Sequence, residues 1–275
     1  MSRYISFGAA LCAAAFATGM SGLTSPAIAA GDLAAAKALV EAHTALPTFT
    51  PPGAPFDARK LMAGKKILTI PVSSANPFTK NITLAMIAVA KQLGFEVMEW
   101  ENQARPTQWV QGIEYAINNK FDAVDFLGGV DPAVLGPQVQ QAKKAGVKVF
   151  VSHLYDTIQT PDPNIDLSLP IPYNKVGEIL AAWVADRTGG KANVLIIGSD
   201  EIVPTKSFVK GITDGLARFC GDGCKYTYIN APVPEWATKI QPSVQSALIA
   251  DSTINYIVPI YDSMSQFVIP AVRIT

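Results

Sequence analysis

From Lys65 onward the apolar positions switch repeatedly between two periods. Lys65–Val72 is an apolar run that ends at the turn Ser73-Ser74-Ala75-Asn76-Pro77. Phe78, Ile82, Ala85, Met86, Val89 and Leu93 then recur at helical spacing until Gly94 closes the helix. A strand follows at Phe95–Glu101, then a helix opened by Pro106 with Trp109, Ile113, Ala116 and Ile117 on one face. Phe121–Leu127 reads as a strand, Pro132–Ala145 as a helix and Val147–Ser152 as the fourth strand. Four strands with three intervening helices predict a right-handed parallel unit.

After the Pro-rich stretch Thr160–Pro172 the alternation restarts. Helices are predicted at Asn174–Thr188, Thr205–Phe219 and Glu235–Ala250, strands at Ala192–Gly198, Lys225–Asn230 and Asn255–Ile260, and a further helix near Ser263. Two successive units of similar size predict an α/β fold of two doubly wound parallel-sheet lobes with a cleft between them. Ligands of such sheets collect at the carboxyl ends of the strands. The chain reaches Thr275 without a closing strand, so the second lobe is expected to be incomplete through a C-terminal truncation.

The start of the chain reads differently. Arg3, an apolar stretch from Tyr4 to about Met20, and the small-x-small site Ala27-Ile28-Ala29 have the order of a secretory signal peptide cleaved after Ala29. A membrane anchor is the alternative, but the stretch is short and Ala-rich for a span of about 20 residues. Asp32 to about Leu46 has helical spacing at Leu33, Ala36, Leu39, Val40 and His43, and Pro47–Pro55 is a stiff connector. The expected organisation is a leader at 1–29, an extension at 30–64, a first lobe at 65–155, a crossover at 156–172 and a second lobe at 173–275. That order predicts export of the mature protein.

Composition narrows the function classes. With 49% hydrophobic and 16% charged residues the chain is too apolar for disorder. Its 22 Lys and Arg balance 22 Asp and Glu, which argues against nucleic acid as a partner. Cleavage leaves Cys220 and Cys224, an even, closely spaced pair that reads as a disulfide in an oxidising compartment. A redox pair or half a metal site are the alternatives, disfavoured by three intervening residues and no neighbouring His.

Catalytic and cofactor signatures are weak. The two histidines, His43 and His153, fall in different regions and suggest no metal cluster. No Gly-x-Ser-x-Gly elbow, P-loop or Rossmann glycine triplet follows a predicted strand. The reading is therefore no cofactor, no metal and no catalytic residues. Phe78, Trp236 and Tyr261 instead stand at or just after strand ends, where flat rings can stack on a sugar face or equally pack into a core. Asn76 and Asp262 are suited either to accept hydroxyl groups or to cap helices.

Asn76-Pro77-Phe78, Gln111-Gly112-Ile113-Glu114, Asp131-Pro132-Ala133, Ala142-Lys143-Lys144-Ala145-Gly146-Val147-Lys148-Val149, Asn174-Lys175-Val176-Gly177 and Tyr261-Asp262-Ser263-Met264 occur in an order that resembles one family. It is that of the type I periplasmic solute-binding proteins, the ribose- and galactose-binding kind that serve ABC importers, over roughly Lys65 to Val272. The resemblance implies ligand contacts at Asn76, Phe78, His153, Phe208, Trp236, Tyr261 and Asp262. It also implies the periplasm as the destination of the mature protein, hinge closure on a small molecule, a membrane permease of an ABC transporter as partner, and a monomer. Pentose-binding members carry an acid and Arg where this chain has His153 and Leu154, Arg at Phe208, and Asn at Tyr261. A more aromatic, less charged pocket follows, suited to a deoxy sugar, a polyol, or a cyclic or aromatic compound. A signalling or chemotaxis receptor of the same fold, and a secreted α/β enzyme using His153 and Asp262, are the competing readings.

Overall fold

The computed structural model describes residues 31–275, so the leader read at 1–29 lies outside the described residues. Two helices come first, α1 (Leu33–Glu41) and α2 (Ala58–Met62). The first α/β unit follows as β1 (Lys66–Pro71), α3 (Pro77–Leu93), β2 (Glu96–Glu99), α4 (Pro106–Asn118), β3 (Ala123–Leu127), α5 (Gly136–Lys144), β4 (Lys148–Asp156) and β5 (Leu167–Ile171). The second consists of α6 (Tyr173–Thr188), β6 (Ala192–Gly198), α7 (Pro204–Cys220), β7 (Cys224–Asn230), α8 (Trp236–Ala250), β8 (Tyr256–Pro259) and α9 (Asp262–Ile274).

Each unit builds its own parallel sheet, as the alternation of periods requires. The first has the order β2-β1-β3-β4-β5 and the second β7-β6-β8. Leu68, Ile70, Val124, Phe126, Val149 and Val151 form the first core beneath Ile113, Ala116 and Val139. In the second, Val194, Leu195, Ile196 and Ile197 of β6 are buried under Ile212, Leu216, Ile240 and Met264. A central parallel strand covered on both faces must be apolar throughout, and β6 is buried along its whole length. β8 lies at one edge of that sheet, beside a groove lined by Leu248, Ile254, Val268 and Val272.

The structure departs from the periodic reading in three places. Within the stretch read as crossover, Leu167–Ile171 pairs with β4 as a strand of the first sheet, from Phe150↔Leu167 to Asp156↔Ile171. Pro170 is tolerated because β5 is an edge strand with one side free of ladder bonds. Pro172 alone then separates β5 from α6. The helix read at Pro132–Ala145 is divided into a 3₁₀ turn, Pro132–Leu135, and α5.

The third departure concerns the extension. α1 ends at Glu41, and its buried face, Ala36 and Val40, belongs to the core of the second lobe. Asp32 caps the helix by accepting the Ala35 N–H (2.9 Å), while its own N–H donates to the Arg218 carbonyl (3.1 Å). A Cβ on Gly31 would lie 2.2 Å from the Phe219 carbonyl oxygen, so only glycine allows this close approach. Beyond α1 an exposed connector runs to α2, and Gly64 N–H bonds to the Gly94 carbonyl (3.1 Å) at the foot of the first sheet. The N-terminal segment therefore links the second lobe to the first.

Two local features bear on the site. Cys220 and Cys224 form a disulfide across the turn from α7 to β7. In the first sheet Asp125 is fully buried, and its carboxyl accepts hydrogen bonds from Thr69 Oγ1 (3.0 Å) and Ser152 Oγ (2.7 Å). Burial outweighs those bonds and pushes its pKa up to about 6. Among the described residues no helix is long and apolar enough to cross a membrane.

Candidate functional site

The site grows from the carboxyl ends of β1, β4 and β8. After β1, Asn76 caps α3 by accepting the Phe78 N–H (2.9 Å), and Pro77 occupies the first helical position. Thr79 Oγ1 donates to the carbonyls of Ser73 and Asn76, both at 3.1 Å, which fastens the turn. Phe78 is thereby held at the mouth of the helix, where it stays 39% exposed.

His153 reaches the same place by another device. The pairing of β4 with β5 shifts register between Ser152 and Asp156, and His153 within that bulge has φ 57°. A β-bulge at a strand end re-aims a side chain, and a non-glycine residue in the left-handed region costs on the order of 1 kcal/mol or more. The His153 carbonyl accepts the Tyr173 hydroxyl (2.7 Å), which helps to hold the bulge. Its ring Nδ1 is buried without a hydrogen-bond partner. Burial lowers the His153 pKa, so the imidazole is neutral at pH 7.

An aromatic row then crosses from one lobe to the other. His153 meets Phe78 edge-on with centroids 5.5 Å apart, Phe78 lies 6.4 Å from Tyr261, and Tyr261 lies 6.1 Å from Trp236. Burial holds the Tyr261 phenol well above its ordinary pKa, with the charges of its surroundings adding to the effect. Tyr173 and Phe208 form a second pair at 6.2 Å.

Two adjoining cavities flank this row. Phe78, His153, Phe208, Tyr261 and Asp262 line the larger, about 940 Å³, together with Tyr173. Asn76 and Trp236 line the smaller, about 470 Å³, with Gln103, Arg105 and Gln266. The seven residues expected as ligand contacts are therefore gathered at one end of the molecule but divided between two spaces. Their exposures differ as well. Trp236 is 6% exposed and belongs to the second core, its indole N–H donating to Ser199 Oγ (2.9 Å) and the Ala231 carbonyl (3.0 Å). Phe208 is likewise a core residue with one edge on the larger cavity. Asp262 is exposed in the first turn of α9, and Asn76 spends its side-chain oxygen on the cap.

The linear pattern did not single out Asp156 or Tyr173. Asp156, at the end of β4 in the first lobe, accepts hydrogen bonds from Ser207 Oγ (2.5 Å) of α7 and Asn174 N–H (2.6 Å) of α6. Burial raises its pKa, but these bonds with those from Ile158 and Thr157 outweigh burial and hold the carboxyl below its ordinary range. The carboxylate ties the first lobe to both helices that open the second. No neighbouring sequence marks it, because its partners lie 18 and 51 residues away.

Two parallel α/β lobes with aromatic side chains meeting at their strand ends define a hinged, two-lobe binding fold. A family model described as a periplasmic binding protein domain matches residues 67–273, and the chain belongs to that family. The expected likeness to type I periplasmic solute-binding proteins is borne out by this match. None of the curated protein sequences compared matches the chain.

Among solved structures, the chain is similar to an ABC sugar transporter subunit from Rhodobacter sphaeroides 2.4.1, with 20% identity, TM-score 0.66, and 78% of this chain and 74% of that one covered. It is also similar to an ABC transporter solute binding protein from Agrobacterium vitis with bound allitol, at 19% identity and TM-score 0.66, covering 78% and 72% of the two chains. The periplasmic binding protein component of the arabinose ABC transporter from Shewanella sp. ANA-3, bound to L-arabinofuranose, matches at 16% identity and TM-score 0.65, covering 76% and 68%. Likeness at these identities is one of fold.

Proposed function

We propose that the protein is an extracytoplasmic substrate-binding protein of an ABC importer that captures a sugar, a polyol or a sugar-like ring between its lobes. The observation that carries this reading is the aromatic row from His153 through Phe78 to Tyr261, which spans both lobes at the strand ends. Rings offer a sugar its apolar face a stacking partner, and Asn76, His153 and Asp262 supply polar atoms for hydroxyls. Because each lobe holds part of the contacts, ligand favours the closed arrangement over the open one. The chain crosses between the lobes at Pro172, where Asp156 ties the end of β4 to α6 and α7, and a membrane permease would read the closed surface. The sugar transporter subunit and the allitol- and arabinofuranose-bound structures support the class of ligand.

Thermal-shift and calorimetric titration of the mature chain against pentoses, hexoses, polyols and aromatic acids tests this reading. A saturable upward shift with unchanged ligand, weakened at least tenfold by Phe78→Ala, is the expected result. Turnover of a bound compound that His153→Ala abolishes would replace capture by catalysis.

A further inference from the structure

The smaller cavity differs in charge from the larger one. Asp262 is the charged residue lining the larger cavity, whereas Arg105 lines the smaller and no carboxylate joins it there. Among the described residues Arg105 forms no ion pair. Ser73, Asn76, Gln103 and Gln266, drawn from both lobes, are the neutral polar residues that line the same space.

The loop that presents Arg105 is built more firmly than a connection from β2 to α4 requires. Ala104 sits at φ 58°, a left-handed conformation that is costly for alanine. Buried Asn102 holds it there. Its Oδ1 accepts the Ala104 N–H (2.9 Å) and the Trp109 indole N–H (3.1 Å), and its Nδ2 donates to the Pro71 carbonyl (2.8 Å). Its N–H donates to Ser74 Oγ (3.0 Å), and the Gln103 N–H donates to Gln108 Oε1 (2.8 Å). Gln103 and Arg105 are thus fixed relative to the turn that carries Asn76 and Phe78.

We infer that the smaller cavity is an anion subsite in which Arg105, aided by Gln103 and Gln266, takes the carboxylate of a sugar acid whose ring lies in the larger cavity. The inference rests on the capture reading and sharpens it. A guanidinium matches a carboxylate with two parallel, charge-assisted hydrogen bonds, a stronger pairing than it makes with neutral hydroxyls. Asp262 repels the same carboxylate from the larger cavity, so the two charges together set one orientation of the ligand. Pro77 and Gln266 line both spaces, so the two subsites would sit side by side. Charge thus enters through Arg105, a position outside the family contacts whose loss of arginine pointed to a less charged pocket.

Calorimetric titration of the mature chain with matched pairs tests the subsite: galactose and galacturonate, and glucose and glucuronate. The acid of at least one pair is expected to bind tenfold or more tightly than its neutral partner, with an affinity that falls as salt is added. Arg105→Gln, an exposed substitution, should cost the acid tenfold or more and leave the neutral partner within twofold. Equal affinities within every pair, or an equal effect of Arg105→Gln on both members, overturns the anion subsite while capture of a neutral sugar stands. Failure of every compound, neutral or acidic, to bind overturns the capture reading and the subsite with it.

Discussion

In the first lobe the middle of the sheet is polar, whereas in the second it is hydrocarbon. Thr69, Asp125 and Ser152 form a buried hydrogen-bonded group across β1, β3 and β4, and β6 carries no titratable side chain along its buried length. The lobe with the polar centre also holds the bulge at His153 and the exposed ring of Phe78, while the apolar lobe buries Trp236 and Phe208 and is braced by α1 and a disulfide. Interchangeable parallel architecture therefore leaves room for different uses of polarity. Stability in the second lobe comes from continuous apolar burial, and the first gives up some of it to a carboxyl that costs free energy when ionised.

The strongest test of this contrast replaces one aromatic residue in each lobe. Trp236→Ala should lower stability by about 3–5 kcal/mol in denaturant melts, because it opens a cavity in the second core and removes the indole hydrogen bonds to Ser199 Oγ and the Ala231 carbonyl. Phe78→Ala, at a ring 39% exposed, should cost about 1–2 kcal/mol and act mainly on ligand affinity. Equal stability losses would erase the distinction.

Next in size is the pH response of the first lobe. Asp125 has its pKa pushed from 3.8 to about 6, so the folded state binds more protons than the unfolded state between those values. Stability from this group is full below pH 3.8 and lost as pH rises through about 6. The loss is about 3 kcal/mol by pH 8. Asp125→Asn should raise the melting temperature at pH 8 and change it little at pH 4. His153, whose pKa burial lowers from 6.5, works in the opposite sense, its contribution being lost as pH falls below that value.

Reducing Cys220–Cys224 should cost about 2 kcal/mol, since the closed loop is short. The loss should appear as faster hydrogen exchange around α7 and β7, with the first sheet unchanged. Smallest is the ion pair of Arg218 with Glu178 on the surface of the second lobe. Arg218→Gln should shift stability by less than about 1 kcal/mol, an effect that vanishes in high salt.

Much of the architecture was legible in the order of residues. The strand read at Ala192–Gly198 is β6 with the same ends, and the Asn76-Pro77 cap opens α3 where its spacing placed a helix. β5 was hidden because a short edge strand containing Pro170 lacks the apolar run that marks a central one. Phe78 and Tyr261 were identifiable as strand-end aromatics, but nothing local distinguished them from Trp236, which turns inward to the Ser199 hydroxyl. Arg105 and Tyr173 gave no signal of their own, because each matters through neighbours distant in sequence.

What the residue order sets alone is periodicity, capping and chemistry: two alternating α/β units, the turns that stop their helices, and a supply of aromatic rings at strand ends. Those properties depend on neighbours within a few positions. Packing of the folded chain decides the rest, including α1 in the second core, Asp156 bonded from the first lobe to the second, and the division of the site residues between two cavities. Such contacts join residues tens to hundreds of positions apart, and their energies exist only once the surfaces that make them have folded.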